Sequence, residues 1–175
     1  MFEAPLHPKL VHVPVALAVL MPLVSFGLFV AWSKRWLPAR SWWIAALLQA
    51  ILFAGGWIAY ETGESNEEKV EEVVAEEAIE VHEERAEQFY WASGAVLVLM
   101  ILPVALPTDE RRRRWIALAA SAGTVVVFWL GYRVGEAGGA LVYEHGAAQA
   151  HVDQSAGGGG PPSGEGEAHE EEEEE

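Results

Sequence analysis

The sequence predicts an all-α fold: an integral membrane four-helix bundle with an extra amphipathic outer helix between the second and third spans. Three observations predict it. Four apolar blocks have span length, the blocks lack a charged face, and short basic loops alternate with long acidic ones. The chain of 175 residues is 51% hydrophobic yet carries a formal net charge of −15, so apolar and charged residues must occupy different segments. Length alone would also suit one soluble domain. A soluble four-helix bundle, however, shows an apolar stripe and a charged face on each helix. Here no Asp, Glu, Lys or Arg occurs from Leu10 to Ser33, from Ser41 to Tyr60 or from Gln88 to Thr108.

The first block, Leu10 to Trp32, has the roughly 20 residues needed to cross about 30 Å of hydrocarbon. No basic region precedes it and no A-x-A-like cleavage site follows it, so it is expected to be a retained helix and not a signal peptide. The second block runs from Trp42 to Tyr60, the third from Phe89 to Leu106 and the fourth from Trp115 to about Tyr132. Pro14, Pro22 and Pro103 fall within spans, where they predict kinks, because neighbouring groups in membrane helices can satisfy the freed carbonyls. Between the second and third spans, Val70, Val73, Val74, Ala78 and Val81 recur at helical spacing in an acidic stretch. That pattern predicts an amphipathic helix over about 67–88 that leads into span three. Residues 1–147 therefore form the membrane domain. Residues 148–175, with Gly157 to Gly160, Pro161, Pro162 and Glu170 to Glu175, are expected to be a disordered acidic tail.

Orientation follows from the cations. Lys34, Arg35 and Arg40 occupy the loop after span one, and Arg111 to Arg114 the loop after span three; together they are seven of the eleven Lys and Arg. Short loops rich in such residues stay in the cytoplasm. The opposite side holds twelve Glu between Glu61 and Glu87 against only Lys69 and Arg85. Both termini are therefore expected outside the cytoplasm. Aromatic residues fit, with Trp32, Trp36, Trp42, Trp43 and Trp115 at the inner boundary and Trp57, Tyr60, Tyr90 and Trp91 at the outer one.

Few residues can carry chemistry. With no cysteine, disulfides and thiolate-held metals are excluded. Nucleic-acid binding is unsupported, because the basic clusters are topology-setting loops. No G-x-S-x-G elbow or phosphate-binding loop is present, no catalytic residue is assigned, and the chain is not expected to be an enzyme by itself. The histidines stand out. His7 and His12 open span one, His82 lies on the acidic helix and His145 follows span four, so all four are expected at the outer face. Imidazole ligates divalent metals, and paired His from facing helices ligate haem iron. Each His alone is better explained by reaching water or capping a helix carbonyl. Arg133 and Glu136 fall where span four leaves the hydrocarbon and suit a pair, while Arg133 reaching the surface or binding a Glu of the outer helix is the commoner outcome at that depth; Glu83 and Glu144 stand beside the histidines. Gly131, Gly135 and Gly139 repeat every fourth residue, a pattern that lets helices approach closely or could admit a flat macrocycle.

Three segments together resemble a known family. They are His7-Pro8-Lys9-Leu10-Val11-His12-Val13-Pro14-Val15-Ala16-Leu17, the pair His82-Glu83, and Gly138-Gly139-Ala140-Leu141-Val142-Tyr143-Glu144-His145-Gly146. In this order, over residues 5 to 147, they look like the signatures of the bacterial membrane proteins called domain of unknown function 2231 (DUF2231). Val13 stands where that family often has Phe, and the Glu-rich outer segment and polyglutamate tail are elaborations. The resemblance implies a four-span protein of the bacterial inner membrane and brings no settled activity with it. Relatives occur beside or fused to cytochrome-like modules, which implies redox work by association only.

Three readings follow. The first is a redox subunit in which His7, His12, His82 and His145 hold haem b, with an acidic face suited to a basic cytochrome or another redox membrane partner. In the second, a divalent-metal binding or transport accessory, the same His act with Glu83, Glu136 or Glu144; scarce Met and absent Cys argue against Cu(I). The third is a structural or assembly subunit without a cofactor. In all three the lipid bilayer is the surrounding partner.

Overall fold

The computed structural model describes residues 12–64 and 76–143, and these form four long helices. Helix α1 spans His12–Ser33, α2 Trp43–Glu64, α3 Glu76–Ala105 and α4 Glu110–Tyr143, with a 3₁₀ turn at Ala39–Trp42 ahead of α2. All four are long and apolar enough to cross a membrane. Each expected span falls on one of them, but α3 and α4 run well beyond the apolar blocks. Charged residues outside the hydrocarbon do not stop a helix. For the same reason residues 76–88 are the first turns of α3, continuous with the third span into which the expected outer helix leads. The expected amphipathic stretch over 67–75, like the acidic tail, lies outside the described residues.

Helix ends are set by local chemistry. Helix α1 closes in a Schellman motif, in which Trp36 N donates to Ala31 O (2.8 Å) and Arg35 N to Trp32 O (2.9 Å). The motif needs a left-handed residue, and Arg35 takes it, at φ 62°. Leu106 and Pro107 follow the end of α3. Asp109 starts α4: its Oδ1 accepts from Arg112 N at 2.9 Å and its carbonyl from Arg113 N at 3.1 Å. The bond from Arg112 N, aided by the Arg112 charge, holds the Asp109 carboxyl below its usual range.

The surface shows which solvent the bundle fits. Leu23 is 73% exposed and Leu47 62%, and Val15, Val19, Ile44, Ile51, Val98, Val125 and Val126 are also outward. An apolar belt of this extent exceeds what a water-soluble monomer presents and suits lipid. The interior is made of small residues, Ala18, Ala45, Ala46, Ala117 and Ala120, which let the backbones approach. Each helix also buries polar side chains: Ser25, Gln49, Ser93, and Ser121 with Thr124, all at 0% exposure. Ser25 and Thr124 share a hydrogen bond between α1 and α4 (3.3 Å), and Gln49 Nε2 donates to Ser93 O (3.0 Å), tying α2 to α3.

The two ends of the bundle differ. At the arginine-bearing end Trp32 and Trp42 are buried side by side, their rings 6.1 Å apart. Trp42 Nε1 donates to Met100 O (2.9 Å) and Trp32 Nε1 to Glu110 Oε1 (3.0 Å). Arg113 donates to Pro103 O, a carbonyl whose helical partner would be the N–H that Pro107 lacks. The expected inner belt is thus corrected. Trp36, Trp43 and Trp115 are exposed as belt residues, while Trp32 and Trp42 lock the four helices because their indole N–H groups find internal acceptors.

Candidate ligand site at the acidic end

At the acidic end α1 and α3 begin and α2 and α4 finish. Helix α4 packs on α3 and α1, and α2 does the same from the other side, so α1 and α3 stand diagonally. The α3/α4 seam keeps a seven-residue register. Phe89 lies against Gly131, where a methyl would come 3.2 Å from its ring. Seven residues on, His82 lies against Gly138, where a methyl would come 3.2 Å from Cε1 and 3.5 Å from Nδ1. Both aromatic rings occupy space that only glycine leaves open. His82 is half-buried there.

The glycines therefore serve differently from one another. Gly131 also meets Ala18 of α1, at 3.6 Å. Among the described residues nothing lies within 4 Å of a methyl at Gly135 or Gly139, so none of these covers the backbone of α4 there. The residue that seats His82 is Gly138, which an every-fourth-residue count passes over. Spacing of seven on both helices, Phe89 after His82 and Gly138 after Gly131, was the signal available in the sequence.

Between the two seats lies an ion pair. Arg85 Nη1 donates to Arg133 O (3.2 Å) and stands 3.7 Å from Glu136 Oε2. The expected Arg133–Glu136 pair is thus replaced: Glu136 reaches across the seam to Arg85, the one cation that the described part of the acidic segment supplies. Glu136 is 60% exposed, so the pair contributes at most about 1 kcal/mol. Beside it a groove of about 470 Å³ opens, lined by Glu77, Val81, Arg85, Glu136, Ala140 and Leu141 among others. Glu83 is half-buried on the same helix.

His12 begins α1 and is exposed. Its height follows from register. Ala18 meets Gly131 and Ser25 meets Thr124, seven residues apart on each of two antiparallel helices. Continued six residues toward the acidic end, that register brings His12 level with Ala137, the buried neighbour of Gly138. His12 and His82 thus stand at the height of the same turn of α4, on the two helices that flank it, with His12 exposed and only His82 in contact with that turn. His7, Glu144 and His145 lie outside the described residues; His7 is five positions before His12, and His145 two after Tyr143. Among the described residues no three His, Asp or Glu side chains are grouped to hold a metal ion.

Comparison with known proteins adds one finding. The model of a family described as predicted membrane protein (DUF2231) matches residues 3–151. No curated protein and no solved structure matches the chain.

Proposed function

This chain belongs to the DUF2231 family of predicted membrane proteins, and from that premise we propose that it is a redox membrane subunit whose acidic-end histidines hold haem b or a divalent metal. The observation that carries the reading is the shared height of His12 and His82 on either side of the Ala137–Gly138 turn. His7 and His145 join the ligand set, being close in the chain to the same ends of α1 and α4. Neutral imidazoles from separate helices are the usual ligands of b-type haem in a bundle. The backbone at Gly135 and Gly139, which none of the described residues covers, fits the flat face of a macrocycle. Arg133, Glu136, Glu83 and Glu144 would set the charge around the group. Exposed Glu77, Glu80, Glu84 and Glu87 suit a basic soluble cytochrome as electron partner. In this reading the arginine-bearing loops face the cytoplasm of a bacterium and both termini face away from it.

The visible spectrum of the purified full chain tests the proposal. A Soret band that shifts on dithionite reduction is expected for haem, and stoichiometric metal by elemental analysis for the ion. His12→Ala and His82→Ala should each abolish retention without preventing membrane insertion, and unchanged retention in both would defeat the assignment. A second reading is a cofactor-free structural or assembly subunit, in which Gly131 and Gly138 serve only to seat Phe89 and His82 in the α3/α4 seam. A colourless, metal-free preparation would establish it.

A further inference from the structure

We propose that the arginine-bearing end of the bundle holds the phosphate of an anionic phospholipid in a groove between α1 and α4. The groove has a volume of about 500 Å³. Its lining passes from Phe29 and Leu118, through Trp115, to Arg35, Arg111 and Arg114, with Glu110 among them. Over about two helical turns the wall therefore changes from hydrocarbon to cation, the same change that a lipid makes from acyl chain to headgroup.

The arginines of this end are not equivalent. Arg112 lies 4.0 Å from Asp109, Arg113 Nε donates to Pro103 O with its guanidinium 5.8 Å from the Trp32 ring centre, and Arg114 lies 3.1 Å from Glu110. Arg35 and Arg111 have neither an ion pair nor a side-chain hydrogen bond among the described residues, and both line the groove. The charge of Glu110, its one carboxylate, is offset by Arg114, and its Oε1 also accepts a hydrogen bond from Trp32 Nε1. Three Arg against one Glu leave the lining two positive charges in excess. Arg35 adds a second argument. It sits in the left-handed position of a Schellman motif, where glycine would serve the backbone better, so the side chain is kept at a conformational cost.

Guanidinium forks match phosphate oxygens in charge and geometry, and basic pockets between membrane helices suit anionic headgroups. A phosphodiester without a headgroup amine, as in phosphatidylglycerol, answers the excess charge. A choline headgroup would bring its own cation against the arginines.

The full chain, purified in an uncharged detergent, is mixed with phosphatidylglycerol, with phosphatidylcholine of the same acyl chains, or with inorganic phosphate, and the retained adducts are counted by native mass spectrometry. Phosphatidylglycerol should be retained severalfold over phosphatidylcholine, with inorganic phosphate neither retained nor competing. The pair Arg35→Gly and Arg111→Gln should reduce retention on the order of tenfold, since it removes two charge-assisted contacts. Arg40→Gln, which removes a cation of the same end outside the groove, should leave retention unchanged. Equal retention of the two lipids would overturn the proposal, and so would an Arg40→Gln loss as large as that of the groove pair. Displacement by phosphate alone would overturn it in favour of a free-anion site. Arg111→Gln alone, at an exposed first-turn position, carries the same expectation at smaller size should the double variant not fold.

Discussion

Arg35 concentrates a conflict between backbone and side chain. Its φ of 62° costs a non-glycine residue about 1–2 kcal/mol, while glycine would bring an entropic penalty of about 0.5–1 kcal/mol. Arg35→Gly should therefore raise stability by up to about 1 kcal/mol, read as a higher melting midpoint in detergent. A lower midpoint would show that the side chain itself stabilises the free protein. Residue chemistry was only partly legible beforehand. His12 and His82 could be assigned to one end from their order between apolar blocks, since an antiparallel bundle alternates its ends. Arg85 as the partner of Glu136 was not legible, because that pair depends on how two helices are rotated about their axes, which periodicity in an all-apolar span does not report. Glu136 could as well have met Arg133 three residues away on its own helix. The Trp32 and Trp42 side chains were misread for the same reason: a belt residue and a core residue at one depth differ only in the direction they point.

At the scale of elements, the α3/α4 seam is the longest contact in the bundle, and small residues set its spacing. Gly123 is its tightest point, where a methyl would stand 2.7 Å from Val96 Cγ2. Valine cannot swing away, because its branched side chain is stiff at χ1. Gly123→Ala should therefore cost about 1–3 kcal/mol by overpacking. Adding Val96→Ala should recover part of that loss, so a double-mutant cycle would give a coupling of about 1 kcal/mol or more. Additive losses would mean that the seam relaxes elsewhere. The four spans themselves were readable from the sequence, because hydrocarbon thickness dictates their length. Their extensions were not. Nothing in the apolar pattern reports that α4 starts at Glu110 or that it continues to Tyr143. The glycines of α4 were legible as packing residues only as a group, since choosing Gly138 over Gly139 as the seat for a ring requires the register of α3.

For the whole molecule, the charge asymmetry becomes a prediction about sidedness. A reporter enzyme active only outside the cytoplasm should be silent when joined after Leu37 or within Pro107–Asp109 and active when joined after Glu175. The reverse pattern would invert the bundle and place the proposed electron partner in the cytoplasm. The two ends are fastened differently, the arginine-bearing one by indole and guanidinium contacts, while at the acidic one Arg85 pairs with Glu136 and Trp57 and Tyr60 pack on Tyr90. Within the described residues α3 and α4 run for 30 and 34 residues, and α1 and α2 for 22 each. At about 1.5 Å per residue, the turns Glu76–Gln88 and Arg133–Tyr143 stand roughly 15–20 Å proud of the hydrocarbon. A macromolecule that reaches those turns of α3 meets the carboxylates of Glu77, Glu80, Glu84 and Glu87, so a cationic surface is held there by several weak contacts and not by one strong one.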